Sequence, residues 1–333
     1  MTVTFRAETD LGAWNASYRD GTVPDLFPYG LQQLADSGLE VSWKPVSAAS
    51  ALQKLRLVLA PPARRASPDW TLAWDEYTAI RMLREAPQTR RGAGVIWATD
   101  GLGRGTGERL RARSIFRSLA SLDLVWALST AQLAPLREAF GSRGPDIRYL
   151  PFGIAADYFT PVALPERPAV LSIGSDRDRD HLTLLRALEL VHRERPEVRL
   201  GAQLPAGQAA PEGIELVPRM SHADLRARYG ESTVIAVATR PNLHVSGMTT
   251  ALEGMATGRA VVMTRSPGID DYLTAGTTGL LVEPGDPAGL ARAILAALES
   301  GAAADLGARA RAAVEERFTT AGMSRRLAEL LSA

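Results

Sequence analysis

Apolar positions in this chain fall into short runs separated by amphipathic stretches. In the first half, residues 1–6 alternate apolar and polar side chains and predict a strand; residues 41–43, 70–74, 94–102 and 123–129 predict four more. Helical patterns lie between them at residues 31–37, stopped by Gly38, and at 48–65, 75–85 and 104–119. Residues 14–28 are polar and aromatic and are broken by Gly21, Pro24 and Pro28, which predicts a loop. In the second half, strands are predicted at 169–173, 198–203, 214–217, 233–239 and 260–264, with helices at 182–191, 223–229, 249–257 and 287–299. Pro161, Pro165 and Pro168 mark residues 162–168 as a linker, and residues 306–331 close the chain as helices broken at Phe318-Thr319. Strands alternating with helices in both halves predict an α/β protein built on two doubly wound parallel sheets.

Composition narrows the classes. A chain of 333 residues, 46% hydrophobic, suits two domains with sizeable cores. A net charge of +1 argues against nucleic-acid binding driven by bulk electrostatics. The lack of cysteine excludes disulfides, thiolate catalysis and Cys-ligated zinc. The N-terminus shows no basic start followed by a long apolar core, and no apolar run is long enough to span a bilayer. The expected location is therefore cytoplasmic, with membrane contact at most peripheral; the basic, Pro-rich residues 61–65 suit a solvated linker or an anionic lipid surface.

Three stretches carry candidate chemistry. Ser246 and Gly247 precede a short helix with Gly258 as its stop, and a glycine-bearing loop feeding a helix N-terminus offers free amides and a positive dipole end to an anion. Glu253 lies about one turn into that helix, where a carboxylate can accept two hydroxyls; Ser246 as a plain cap and Glu253 as an ordinary first-turn acid is the simpler alternative. Gly174-Ser175-Asp176-Arg177-Asp178-Arg179-Asp180 joins a strand to another helix start, again suiting phosphate; its alternating acids and arginines favour local salt bridges over a metal. In the first half Arg109, Arg113 and Arg117 share a helix face that suits a phosphorylated acceptor, a membrane surface or plain solvent.

Residues 252–262, Pro267-Gly268 and residues 278–286 together closely resemble the donor-binding segment of retaining GT-B glycosyltransferases of the family 4 type. The resemblance implies two Rossmann-like domains facing across a cleft: an acceptor domain at 1–161, a nucleotide-sugar domain at 162–312, and a last helix, 313–333, crossing back to the first domain. It implies that Glu253 binds the nucleotide ribose, that Ser246, Gly247, Met248, Thr249 and Thr250 hold the diphosphate and sugar, and that Gly174, Ser175, Arg177 and Arg179 complete the phosphate site. It also sets Arg219 and Met220 against the nucleobase, although Met220 equally suits the core. In the first domain it points to Tyr29 and Gly30 beside the acceptor, Tyr29 being equally suited to stapling a helix start. Asp100 stands where the family commonly has a histidine near the reacting sugar; an acidic helix cap is the alternative. Asp100, Arg179 and Glu253 are the expected catalytic set, with no cofactor and no metal. One departure stands out: the family's additional glutamate, eight positions before Glu253, is Val245 here.

The expected activity is transfer of a sugar from a nucleotide-sugar donor to a hydroxyl acceptor, a small specialised metabolite or glycan precursor. The alternatives are a sugar-nucleotide epimerase or phosphorylase of the same fold and a non-catalytic sugar-nucleotide-binding partner. A nicotinamide dehydrogenase is disfavoured, because no Gly-x-Gly-x-x-Gly follows the first strand.

Overall fold

The computed structural model describes residues 1–64, 66–85, 88–174 and 176–333. The chain divides into two compact units, one of residues 1–15, 30–151 and 323–333, the other of residues 16–29 and 152–322.

The first unit holds a parallel sheet of six strands among the described residues: β1 (Thr2–Arg6), β2 (Ser42–Val46), β3 (Trp70–Ala73), β4 (Arg90–Gly94), β5 (Leu124–Ala127) and β6 (Asp146–Tyr149). Their order is β2-β1-β3-β4-β5-β6, so the chain runs outward once from β1 and then reverses across it to β3. The helices in this part of the chain are α1 (Leu11–Arg19), α2 (Ala51–Leu59), α3 (Glu76–Arg84), α4 (Thr106–Leu119) and α5 (Leu133–Phe140). Strands β3 and β5 are buried along their whole length, as strands covered on both faces must be. Ile80 and Leu83 of α3 and Phe116 and Leu119 of α4 pack with Ala73, Val95 and Val125 in the core.

Three local expectations are corrected here. Residues 11–19 form α1 rather than a loop: Asp10 accepts from the Ala13 amide at 2.9 Å and so starts a helix ahead of the prolines. Residues 28–37 form a 3-10 helix. Residues 94–102 are not a strand, because β4 lies at Arg90–Gly94 and a 3-10 turn follows at Asp100–Gly103. Two arginines concealed that strand; Arg91 is fully buried and donates to the Ala63 carbonyl at 2.7 Å. Asp75 caps α3 through the Tyr77 and Thr78 amides, both 2.9 Å, and pairs with Arg6 at 2.9 Å.

The second unit repeats the plan with β7 (Ala169–Ser172), β8 (Arg199–Ala202), β9 (Ile214–Leu216), β10 (Val234–Val237), β11 (Ala260–Thr264) and β12 (Leu280–Val282), ordered β12-β11-β10-β7-β8-β9 and all parallel. Its helices are α6 (His181–Glu194), α7 (His222–Gly230), α8 (Met248–Ala256), α9 (Pro287–Ala297) and α10 (Ala302–Arg317). Leu184, Leu188 and Val191 of α6 meet Leu290 and Ile294 of α9 over Val170, Ala236 and Val262 of the sheet. Helix α10 crosses the end of α8 so closely that a Cβ on Gly307 would lie 2.0 Å from the Gly258 carbonyl oxygen.

Residues 152–161, expected with the first domain, sit in the second unit. Arg311 of α10 donates to the carbonyls of Ala156 at 2.9 Å and Phe159 at 2.8 Å, and Tyr158 bonds the Thr22 carbonyl at 3.0 Å, which brings residues 16–29 along. The last helix, α11 (Thr320–Ser332), joins the first unit from residue 323, where Trp70 Nε1 donates to the Leu331 carbonyl at 3.0 Å. In the second unit Arg259 is fully buried and spends its guanidinium on carbonyls: Thr257 at 3.0 Å, Ser232 at 3.1 Å and Val162. It thereby ties the proline-rich linker to the start of β11. Arg259→Ala leaves several buried carbonyls without donors, and denaturant unfolding is expected to show a loss of about 3 kcal/mol or more.

Candidate functional site

In the second unit the chain runs from β7 outward to β8 and β9, then reverses to β10 on the other side of β7. Loops at such a reversal leave a crevice outside the carboxyl ends of the strands. Gly174 follows β7 there, and residues 239–247 follow β10 and lead into α8.

The side chain that organises this point is Arg179. It is 6% exposed, and its backbone bridges to Thr239 beyond β10. Gly174 and Gly247, at φ 107° and 86°, adopt conformations that L side chains rarely take. A Cβ added to either would come within 2.3 Å and 2.7 Å of the Arg179 terminal nitrogens, so the two glycines let backbone close directly on the guanidinium. One terminal nitrogen donates to Thr250 Oγ1 at 2.9 Å, while Nε has no partner among the described residues. Burial pushes the guanidinium pKa down to about 10, against the opposing pull of Asp176 and Tyr229, so it is a cation at neutral pH. Helix α8 starts beside it at Gly247 with no side-chain cap, which adds the positive end of a helix dipole. A buried cation with unspent donors at an uncapped helix start is suited to an anion.

One turn along α8, Glu253 is 9% exposed and accepts from the Tyr229 hydroxyl at 2.7 Å. Burial raises its pKa to about 7, although the Tyr229 bond pulls the other way. On the other side, Asp176 Oδ1 accepts from Ser246 Oγ at 2.7 Å and from the Asp178 amide at 2.9 Å, with His244 Nε2 3.5 Å away. Burial alone would raise the Asp176 carboxyl; these donors outweigh it and hold the group well below the usual carboxylate range. Val245 between His244 and Ser246 is buried at φ 53°, a strained conformation for a β-branched residue that costs of order 1–3 kcal/mol. The loop is pinned by Asn242, whose Oδ1 accepts from the Ser246 amide at 2.8 Å.

Of the sequence-derived donor candidates, Gly174, Arg179, Gly247, Thr250 and Glu253 gather at this point, with Ser246 and buried Met248 on the same loop and helix start. Thr249 is exposed. Arg177 is exposed as well, its Nε 3.4 Å from Asp178. Arg219 is exposed and Met220 half-buried in the turn before α7. Ser175 lies outside the described residues. Asp180 caps α6 through the Thr183 amide at 3.1 Å.

In the first unit, Asp100 is buried at the start of its 3-10 turn. The preceding loop is held from two sides: Glu76 accepts from the amides of Ile96 at 3.0 Å, Trp97 at 2.8 Å and Ala98 at 2.8 Å, and Gln132 Nε2 donates to the Ile96 carbonyl at 2.7 Å and Thr99 Oγ1 at 2.8 Å. Gly30 is buried in this unit, whereas Tyr29, at φ 65°, belongs to the second unit and meets Phe152 edge-on.

Sequence reasoning missed Tyr229, His244 and Glu76. Tyr229 ends an unremarkable helix, and only the packing of α7 brings it to Glu253. Glu76, next to the cap Asp75, reads as an ordinary first-turn acid, with nothing local to show that three amides some twenty residues ahead would close on it.

Comparison with known proteins points the same way. Residues 167–300 match the family model described as Glycosyl transferases group 1. A stretch of 128 residues is 31% identical to D-inositol 3-phosphate glycosyltransferase of Streptomyces avermitilis; it makes up 33% of this chain and 28% of that relative. Sucrose-phosphate synthase of Thermosynechococcus elongatus superposes with a TM-score of 0.70 at 18% identity, covering 99% of this chain and 98% of its own. HepE of Anabaena, solved in complex with UDP and glucose, superposes at 0.68 with 16% identity over 100% and 99% of the two chains. The fold is that of the GT-B proteins.

Burial raises the Glu76 pKa to about 7, more than its backbone donors lower it. A raised carboxyl stabilises the fold fully below its unfolded pKa, and that contribution fades as pH climbs through 7. Between pH 4.5 and 8, the unfolding free energy of the wild type is expected to fall by about 3 kcal/mol more than that of Glu76→Gln, measured by urea titration.

Proposed function

We propose that the protein is a retaining glycosyltransferase of the family 4 type that moves a sugar from a nucleoside-diphosphate donor to a hydroxyl acceptor. The observation that carries this reading is the buried Arg179 guanidinium, short of partners and set at the uncapped start of α8 beside an acid one turn away. A diphosphate supplies what the cation lacks, and each charge-assisted bond it forms is worth roughly 1.5–3 kcal/mol. Glu253 takes the ribose hydroxyls on the oxygen that Tyr229 leaves unspent, and Tyr229 fixes the carboxylate's orientation. The group 1 match over the same residues supports this assignment.

In the step itself, the bond from the anomeric carbon to the phosphate oxygen breaks and the acceptor oxygen bonds that carbon on the same face. The acceptor's proton passes to the departing diphosphate. Arg179 and the α8 amides stabilise the charge gathering on that diphosphate, and stabilisation of this kind usually lowers such barriers more than any other single effect. No protein nucleophile, metal or cofactor is required. The first domain, with Asp100 and Gly30, receives the acceptor, and the protein works in the cytoplasm. No helix of the described residues is long and apolar enough to cross a membrane.

One observation favours a second reading, a sugar-nucleotide-binding partner without chemistry. Val245 puts a buried, strained apolar side chain where the resembled family has an acid that contacts the donor sugar. Incubation with a panel of UDP-, GDP-, dTDP- and ADP-sugars separates the two: donor hydrolysis or product supports the transferase, whereas a thermal shift without either supports the partner.

Glu253→Ala and Arg179→Ala are each expected to lower transfer at least tenfold, and unchanged turnover in both would remove the assignment. Donor affinity is expected to rise from pH 6 to pH 8, as the Glu253 carboxyl, titrating at about 7, loses its proton and gains acceptor strength. Calorimetric titration should show that rise in the wild type and a flat profile in Glu253→Gln.

A further inference from the structure

A second charged cavity lies wholly inside the first unit. It is open to solvent and holds about 370 Å³, within the size range of small-molecule pockets, roughly 300–1,000 Å³. Arg6, Lys54, Arg81 and Arg111 line it together with Tyr77, and no Asp or Glu is among its lining residues. Its position follows from the topology. Arg6 ends β1, Lys54 lies in the first turn of the helix after β2, and Tyr77 and Arg81 lie in the helix after β3, so the cavity opens where the strand order reverses.

The four cations are not equally committed. Arg6 pairs with Asp75 at 2.9 Å and Arg81 with Glu8 at 2.5 Å. Lys54 and Arg111 have no carboxylate partner among the described residues; Arg111 rests against the Tyr77 ring, 5.7 Å from its centroid. Two neutralised guanidiniums held in place by acids and two cations without a carboxylate, Arg111 also donating to the Tyr77 hydroxyl at 3.5 Å, leave a net charge that matches a dianion. Tyr77 also stacks on Trp97, with ring centroids 6.0 Å apart, and Trp97 belongs to the Glu76-clamped loop that leads to Asp100. The cavity therefore shares a wall with the loop bearing the candidate acceptor acid.

We infer that this cavity binds a phosphate monoester carried by a small molecule, with Lys54 and Arg111 as its principal contacts. Given the transferase reading above, on which only this last assignment rests, that molecule is the acceptor: its phosphate sits at the reversal of the first sheet and its hydroxyl-bearing part extends along the 97–100 loop.

The test is calorimetric titration, without donor, of inorganic phosphate, glucose 6-phosphate, glucose and phosphatidic-acid vesicles into the wild type and the Lys54→Gln/Arg111→Gln double variant. Both side chains are exposed, so the fold does not depend on them. Phosphate and glucose 6-phosphate are expected to bind the wild type at least tenfold more tightly than the double variant, with glucose not measurably bound. Vesicle binding that shows the same tenfold loss upholds the phosphate site and assigns it to a lipid source. Equal affinity of wild type and variant for every phosphate probe, or glucose binding as well as its phosphate, overturns the inference. UDP titrated into the same preparations is read separately: its failure to bind counts against the donor-site reading and leaves the result for the first unit standing.

Discussion

The second unit is organised by the need to keep a guanidinium out of water. An ion moved from solvent to the interior loses several kcal/mol of solvation even after the surroundings relax, and that loss has to be offset locally. Arg179 offsets it with Thr250 and with the nearby negative charge of Asp176, while the uncapped start of α8 adds to the positive charge there. The remaining geometry is subordinate to this. Gly174 and Gly247 are glycines because any side chain would occupy the space of the guanidinium, and the strained turn at Val245 is the route by which the chain reaches Gly247.

The same device recurs at smaller scale. Glu76 gathers three amides of one loop, Arg259 gathers carbonyls of the linker, and Arg91 reaches back to Ala63. In each case a single buried charged side chain fixes irregular backbone that neither sheet ladder nor helix can satisfy. The sheets supply the rigid floor; these few groups decide where the loops above them run. Both candidate sites, the anion site of the second unit and the cationic cavity of the first, lie where the strand order reverses.

The alternation of strands and helices was legible in the sequence because strands buried on both faces read as continuous apolar runs, as at residues 124–127 and 234–237. It failed where burial involved charge. Arg90 and Arg91 hid β4 and moved the expected strand onto the loop that follows it. The glycine-bearing loops and helix starts of the second unit were legible from the loop-to-helix pattern, since short-range spacing is enough to place them, whereas Arg179 was singled out by the family resemblance. Tyr229 and Glu76 were not, because what they do depends on partners far along the chain. The cavity of the first unit joins residues from four separate elements, a convergence that no local pattern records.

The contact between Gly307 and Gly258 has a mechanical consequence. With no room for even a methyl group between α10 and the end of α8, the two backbones act as a hard stop. Helix α8 is braced from behind, because its C-terminal end cannot approach α10 any further. Stiffness at the working end is thus set by two hydrogen atoms at the opposite one.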